Sequence, residues 1–193
     1  EFLRKAIESG RYGRLTSLYM ERVSAMPRWS SENWMGDHRR SGGGILDLHL
    51  HDADWCLYAL GKPRRIWATG TRGPSRGIDD VTCVWDYGPM KATIRCSWIA
   101  QGFTAGFRAL FEHGAVEMGM APDPALRVTR NGKTTKVKSP GPNGYVGEMR
   151  HFIDCIKGRK RNTACTPEST RDSIRMIEQE RESIRRESWV KIQ

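Results

Sequence analysis

The sequence lacks paired cysteines, long apolar runs and a recognisable export signal. Its five cysteines are an odd number and include no CxxC pair, which fits buried thiols in a reducing compartment better than a disulfide framework or a zinc site. No segment approaches the roughly 20 apolar residues of a membrane helix, and residues 1–20 mix charges throughout. We therefore predict a cytoplasmic protein without a membrane partner or a metal ion, with an exported parent protein as the open alternative.

The charge balance is basic but follows no nucleic-acid-binding pattern. Lys and Arg number 32 against 22 Asp and Glu, which gives a net charge of +10. The basic residues are scattered, and no zinc finger, RNP-type aromatic motif or basic heptad segment accompanies them. This distribution favours a solvated basic surface and predicts no specific nucleic-acid partner. Weak, salt-dependent binding to DNA or RNA is kept as an alternative.

The order of the elements predicts an α+β fold. Helices are expected at 2–9, 45–60, 145–157 and 167–186, with a loop at 26–44 and a linker at 139–144. Strands are expected at 15–23, 65–71, 81–87, 91–98, 103–112, 115–120, 126–130 and 134–138, with a short one around 189–192. Because turn residues separate the strands closely, the sheet is predicted to be open and mainly antiparallel, with helices packed on one face.

A second apolar face of the sheet is expected on the side that the helices leave open. The residues assigned to it alternate along two strands and are Val81, Cys83, Trp85, Ile94, Cys96 and Trp98. A broad apolar sheet surface commonly serves as an oligomer interface.

The helix at residues 45–60 carries the residues best suited to chemistry. Its core stripe is Leu46, Leu50, Ala53, Leu57 and Leu60, and its polar stripe is Asp47, His51, Asp54 and Tyr58. An aspartate one turn from a histidine can fix the imidazole tautomer and stabilise its protonated form, which suits general acid/base catalysis near neutral pH. The alternatives are that His51 is a buried core histidine and that Asp54 caps a helix or pairs with an arginine.

Three glycines precede this helix. Gly42, Gly43 and Gly44 allow backbone and ligand to approach closely, and they are expected to leave the helix N-terminus open as a weak site for anions or hydroxyls. Their spacing is not the GxGxxG dinucleotide fingerprint. A metal site built from Asp47, His49, His51 and Asp54 is disfavoured, because His49 lies on the other side of a regular helix from Asp47 and His51.

The stretch from Trp34 to Gly61 resembles the C-terminal domain of the Gfo/Idh/MocA oxidoreductases, the family of glucose–fructose oxidoreductase and inositol dehydrogenase. The matching motifs are Trp34, the Ser-Gly-Gly-Gly of 41–44, Asp47 with His51 and Asp54, and the helix end Leu60-Gly61. Similar segments elsewhere are IESGRYGRL, DDVTCVWDYG, KATIRCSW, FEHGAVEM, YVGEMRHFIDCIKG (with Tyr145, Glu148 and Phe152) and TPESTRDSIRMIEQERES. The resemblance therefore extends over nearly the whole chain.

The resemblance implies that this chain is one part of a longer enzyme. Residues 1–13 would be a linker helix from a missing N-terminal Rossmann domain, and residues 14–193 the C-terminal domain that binds substrate and builds dimers or tetramers through its open sheet. The implied parent is an NAD- or NADP-dependent dehydrogenase of a sugar or cyclic polyol. His51 would act as the acid/base, and Asp47 would orient it or touch the substrate. The fragment alone is expected to bind no cofactor and to be inactive, with Gly43 and Gly44 adjacent to the cofactor in the parent.

Substrate contacts are expected mainly from the loop before the helix. The candidates are Arg28, Trp29, Trp34, His38, Arg39, His49, Asp54 and Tyr145. Tryptophan faces stack on sugar rings, and arginines bind hydroxyls or carboxylates. His49 stands where the family usually has a small residue, so its bulk is expected to narrow the pocket or contact the substrate. The alternatives are loop packing for both tryptophans and, for the whole chain, a non-catalytic binding or assembly module of the same fold.

Overall fold

The computed structural model describes residues 1–120, 124–138 and 144–192. The helices are α1 (Phe2–Glu8), a short 3-10 helix (Ser31–Gly36), α2 (His38–Ser41), α3 (Gly44–Asp47), α4 (Leu50–Leu60), α5 (Gly144–Ile156) and α6 (Pro167–Arg186). The strands are β1 (Leu15–Ala25), β2 (Arg65–Arg72), β3 (Ile78–Asp86), β4 (Lys91–Ser97), β5 (Ile99–Phe111), β6 (Gly114–Met118), β7 (Leu126–Arg130), β8 (Lys133–Val137) and β9 (Val190–Lys191). The predicted α+β class is confirmed, while residues 139–143 of the predicted linker lie outside the described residues.

The described strands form one sheet in the order β8-β7-β6-β5-β1-β4-β3-β2-β9. Only β1 and β4 pair in parallel, and the other neighbours are antiparallel. The turn between β7 and β8 is an example of the short connections that join antiparallel neighbours in this sheet. Asn131 and Gly132 both have positive φ, 51° and 74°, as a two-residue hairpin turn requires. The sheet is therefore open and mainly antiparallel, as the sequence predicts.

The core lies between the helices and one face of the sheet. Cys83 on β3 contacts His49 beside α4, and Trp85 donates a hydrogen bond to Glu180 on α6. The six residues that the sequence analysis assigned to the uncovered face are all buried, and these contacts place them on the helix-covered face. That assignment is wrong, because alternation shows which residues share a face but not which face the helices cover.

The opposite face of the sheet, which we call the second face, carries a polar network near its centre. Tyr19 donates a hydrogen bond to Glu21 at 2.8 Å, and Arg95 donates to the same carboxylate at 3.0 Å. Arg108 and Glu117 form a further ion pair at 2.8 Å. These residues alternate along their strands with buried ones, so the second face is mixed and partly charged rather than the continuous apolar surface that was expected.

The C-terminal helix α6 is anchored at both ends. A capping box of Thr166 and Ser169 begins it, and Ser183 in its last turn accepts a hydrogen bond from the Ala68 backbone N–H at 2.9 Å. These contacts hold α6 against β2 and beside α4. None of the described helices combines the length and the apolar content needed to cross a bilayer.

Candidate functional site

The predicted helix over residues 45–60 is divided at Leu48 and His49 into α3 and α4. The His49 N–H bonds the Gly44 carbonyl at 3.0 Å, five residues back, while the Asp52 N–H bonds the His49 carbonyl only three residues back. The spacing of the backbone hydrogen bonds therefore changes within one turn from five residues, as in a π-helix, to three residues, as in a 3-10 helix. This local irregularity changes which side chains point where, and it lies between Asp47 and His51.

The glycine triplet serves the packing of the chain against β3. Gly42 and Gly43 have φ of 81° and 79°, and a Cβ added to Gly43 would lie 3.1 Å from the Ile78 carbonyl oxygen. The buried Asp79 carboxylate accepts the Gly44 N–H at 2.9 Å. The expectation of an open helix N-terminus is wrong, because a carboxylate of the protein already occupies it.

Asp47 and His51 remain neighbours across the helix irregularity. Asp47 is half-buried, and burial raises the pKa of its carboxyl group while the electrostatic attraction of His51 opposes the rise. His51 is exposed and lines a cavity of about 400 Å³ between α1, α4 and the sheet. The structure thus combines a partly desolvated carboxylate with an accessible imidazole at a cavity wall.

The cavity beside His51 has mostly apolar walls. The apolar walls are formed by Phe2, Leu3, Met20, Trp55, Ala105, Gly106, Phe107, Met118 and Leu126. Besides His51, the polar residues of the cavity are Glu1, Arg22 and Asp52. A concave apolar site with a few convergent polar groups is the usual form of a small-molecule site. The cavity is therefore the candidate substrate site.

Arg22 and Asp52 form an ion pair that sequence reasoning missed. Arg22 binds Asp52 through two hydrogen bonds, Nε to Oδ2 at 3.1 Å and Nη2 to Oδ1 at 2.8 Å. Arg22 follows Leu18 and Met20 at every second residue of β1, so a charged residue on the apolar side of that alternation was the available signal.

His49 does not line this cavity and is fully buried. Its Nε2 lies 2.9 Å from Oε2 of Glu180, which is also fully buried, and 3.5 Å from the Cys83 sulfur. Burial by itself lowers the pKa of His49, but the Glu180 carboxylate more than compensates and holds it well above its usual value. A substrate cannot reach this side chain, so we do not carry His49 forward as a substrate contact.

The same three residues are the metal-compatible group within the described part of the chain, with donor atoms within 4.8 Å of one another. Several of the potential ligand atoms already face protein partners. Glu180 Oε1 accepts the Trp85 indole N–H at 2.7 Å, and its Oε2 faces the His49 imidazole. Burial and the nearby Glu180 also raise the pKa of the Cys83 thiol to about 12, away from the thiolate that binds metals. We interpret the group as a buried ion pair.

The other predicted substrate residues do not line the cavity. Asp54 accepts a hydrogen bond from Ser173 on α6 at 2.5 Å, so its partner is neither a helix N-terminus nor an arginine. His38 bonds the Ser75 carbonyl, while Trp34 is 37% exposed and Trp29 is 82% exposed. Arg28 is exposed in the segment before the 3-10 helix, Arg39 is exposed on α2, and Tyr145 is exposed on α5. As substrate contacts, all of these remain predictions.

Comparison with known proteins gives one family and one fold. Residues 1–117 match the family described as the GFO/IDH/MocA C-terminal domain, and no curated protein matches the chain. Similar solved structures include the WlbA dehydrogenase from Bordetella pertussis in complex with NADH and UDP-GlcNAcA, which is 17% identical with a TM-score of 0.76 over 100% of this chain and 60% of that one.

Two further structures have the same fold. The aldose-aldose oxidoreductase from Caulobacter crescentus complexed with glycerol is 16% identical with a TM-score of 0.83, over 98% of this chain and 59% of that one. A levoglucosan dehydrogenase bound to NADH and levoglucosan is also 16% identical, with a TM-score of 0.78 over 98% of this chain and 62% of that one. The chain thus spans about 60% of the length of these structures. The family match covers more than half of the chain, and the chain therefore belongs to the GFO/IDH/MocA family of oxidoreductases, as a C-terminal domain.

Proposed function

We propose that this chain is the substrate-binding and oligomerisation domain of an NAD- or NADP-dependent oxidoreductase that acts on a hydroxyl or carbonyl group of a sugar or cyclic polyol. The observation that carries the proposal is the accessible His51 imidazole at the wall of a mostly apolar cavity, with the half-buried Asp47 carboxylate close enough to attract it electrostatically. Family membership and the dehydrogenases of the same fold support it. We place the parent protein in the cytoplasm.

In this proposal His51 moves the proton. Its imidazole is accessible at the cavity wall, so it can accept the proton of a substrate hydroxyl during oxidation and return it during reduction. Asp47 stands one turn earlier and is attracted electrostatically to His51. It therefore orients the imidazole and stabilises the positive charge that develops on it.

The described residues do not form a dinucleotide site. The sheet has a single parallel pair, β1 with β4, and Asp79 occupies the glycine-preceded helix N-terminus, so the nucleotide lacks its usual βαβ cradle. We infer that another domain of the parent protein holds the nicotinamide cofactor, which supplies the hydride acceptor. The residues of this chain bind the sugar, limit water access through the apolar wall and carry the proton.

The remaining substrate contacts belong to the same proposal. Trp55 lines the cavity beside His51 and offers an aromatic face to a sugar ring. Arg28, Trp29, Trp34, His38, Arg39, Asp54 and Tyr145 would contact substrate only if the parent protein places it beyond this cavity. The second face of the sheet is proposed as the surface that joins two or four copies of the chain.

Replacement of His51 tests the acid/base role. In the parent protein, His51→Asn should lower kcat for the true sugar substrate about 10²- to 10⁴-fold, the usual contribution of a general acid/base. Nicotinamide reduction, followed by absorbance across a panel of sugars and polyols with both cofactors, measures this. His113→Asn is the matched control, because His113 is exposed in the β5–β6 turn and lies outside the cavity.

The outcomes separate the alternatives. Near wild-type turnover by His51→Asn, with a normal His113→Asn control, contradicts the assignment. A parent protein that binds sugars but shows no nicotinamide-linked turnover supports the non-catalytic binding module instead.

A further inference from the structure

Arg22 is an unusual residue for its position in the sheet. It follows Leu18 and Met20 on the helix-covered side of β1, both of which are buried, and it reaches the cavity that His51 lines. Its side chain is 28% exposed and lines the cavity, so part of it is accessible while the rest is packed. A cation is thereby held in the same cavity as the proposed acid/base.

Asp52 fixes the orientation of this cation. It engages the Nε and Nη2 edge of the guanidinium at 3.1 and 2.8 Å. No hydrogen bond or ion pair to Nη1 is found among the described residues. A two-point pair of this kind immobilises the planar group before any ligand binds, so less entropy is lost when a ligand binds to the remaining edge.

The stability of the fold does not by itself explain why an ion pair stands here. Asp52 is 4% exposed, and removing two charges from water costs about as much free energy as their attraction returns. The adjacent walls, such as Met20 and Phe107, are apolar, and well-packed apolar residues in place of such a pair are often equally stable or more stable. A ligand contact explains the placement better than folding does.

We propose that Arg22 determines substrate specificity by binding a carboxylate, so that the site takes a sugar acid in preference to a neutral sugar or polyol. This inference rests on the proposed function, because it places the acidic group in the cavity that His51 lines. Arginine offers planar, charge-assisted hydrogen bonds that suit a carboxylate. The other charged residues of the cavity are Glu1, which pairs with Lys5 at 2.8 Å, and Asp52, which is already bound to Arg22.

The test compares three probes that share one ring. D-glucuronate carries a carboxylate at C6, D-glucuronamide is its neutral isostere, and D-glucose has a hydroxymethyl group at that carbon. Each is titrated into the isotope-labelled chain while the His51 imidazole and Trp55 indole signals are followed by NMR. We expect D-glucuronate to bind on the order of tenfold more tightly than D-glucuronamide, the scale of one charge-assisted hydrogen bond in a partly solvated site.

Variants assign the preference to Arg22. Arg22→Met leaves Asp52 buried without its partner, so the double variant Arg22→Met/Asp52→Leu replaces the pair with apolar groups and keeps the fold testable. Both should bind the acid and the amide equally. Arg14→Met is the matched control, since Arg14 is exposed and pairs with Glu112 outside the cavity, and it should keep the preference.

The failures are distinguishable. If the acid and the amide bind equally to the wild type with shifts at His51, the specificity inference is overturned and the proposed function stands. A preference that survives in Arg22→Met/Asp52→Leu also overturns the inference. If none of the probes shifts His51 or Trp55, this cavity is not the sugar site, and both the inference and the proposed site fail.

Discussion

At the scale of single residues, two of the charge pairs among the described residues bury a carboxylate in different surroundings. Arg22 and Asp52 form one at the wall of the candidate substrate cavity, where a ligand can reach the arginine. His49 and Glu180 form the other in the core, where both side chains are fully buried. The first pair invites a functional explanation, whereas the second fastens the irregular turn between α3 and α4 to the C-terminal helix.

Breaking the buried His49–Glu180 pair should destabilise the fold strongly. Glu180→Leu leaves a buried imidazole that Glu180 no longer compensates, and His49→Leu leaves a buried carboxylate without its cation. Each should lower the free energy of unfolding by about 3–5 kcal/mol, whereas the double variant His49→Leu/Glu180→Leu should recover most of the loss. Urea unfolding measures all three, and additive losses in the double variant would contradict a direct pair.

The same pair predicts how stability depends on pH. Glu180 holds the folded-state pKa of His49 well above its usual value near 6.5, so the folded state keeps this proton when the unfolded state has lost it. The contribution of His49 is complete below about pH 6.5 and is lost as the pH rises through the folded-state pKa. The Cys83 thiol beside it stays protonated over this range, since its pKa is about 12.

The pH effect is isolated by subtracting two unfolding curves. The free energy of unfolding of the wild type minus that of His49→Leu/Glu180→Leu should fall as the pH rises above about 6.5 and through the raised folded-state pKa of His49. The titrating groups other than His49 and Glu180 are present in both proteins, so their own contributions largely cancel. A difference that stays constant or grows with pH would show that the imidazole in the folded protein is not stabilised in its charged form.

At the scale of elements, the glycine-preceded helix junction decides where the site forms. Gly42 and Gly43 turn the chain in left-handed conformations, and Asp79 closes the start of α3 through the Gly44 N–H. The irregular turn at Leu48 and His49 then restarts the helix as α4. The accessible position of His51 therefore depends on close packing of the glycine segment against β3.

A pair of glycine substitutions separates close packing from backbone conformation. Gly43 and Gly61 have similar backbone angles, with φ of 79° and 75° and ψ of 179° and −165°. A Cβ at Gly43 would lie 3.1 Å from the Ile78 oxygen, whereas one at Gly61 meets nothing within 4 Å. Gly61→Ala should cost about 1–3 kcal/mol for the backbone conformation alone. Gly43→Ala should cost about 1–3 kcal/mol more than the control, because its Cβ would also be overpacked against β3. Equal losses of stability in the two variants, measured by thermal or urea unfolding, would mean that β3 can move away from the added Cβ with no cost in free energy.

Much of this fold follows from local sequence signals, and the exceptions have physical causes. Turn residues and alternation place the strands within a few residues of their observed ends, and capping residues place α6. The helix irregularity escapes the sequence because Leu48 and His49 keep helical backbone angles and only the hydrogen-bond partners change. The contact of Asp52 with Arg22 escapes it too, because a pairing across 30 residues depends on tertiary packing.

At the scale of the whole molecule, the sheet separates the candidate substrate cavity from the proposed assembly surface. The cavity lies on the helix-covered face and is lined by residues of α1, α4, β1, β5, β6 and β7 and by Glu1. The second face presents the network of Tyr19, Glu21 and Arg95 together with exposed apolar residues such as Leu110, which is 42% exposed. A mixed surface of this kind suits an interface that must also remain soluble.

Assembly through the second face is tested with one charge on each side of the molecule. Leu110→Glu places a carboxylate on the second face, where burial against another copy would cost several kcal/mol because the charge would lose its water. Ile174→Glu is the matched control, since Ile174 is also 42% exposed but lies on α6 on the helix side. Light scattering after size exclusion should show a dimer or tetramer for the wild type and Ile174→Glu, and a monomer for Leu110→Glu.

Both variants should unfold at a similar temperature when dilute, because each position is solvent-exposed in the single chain. If Leu110→Glu assembles as the wild type does, copies of the chain do not meet at this part of the second face.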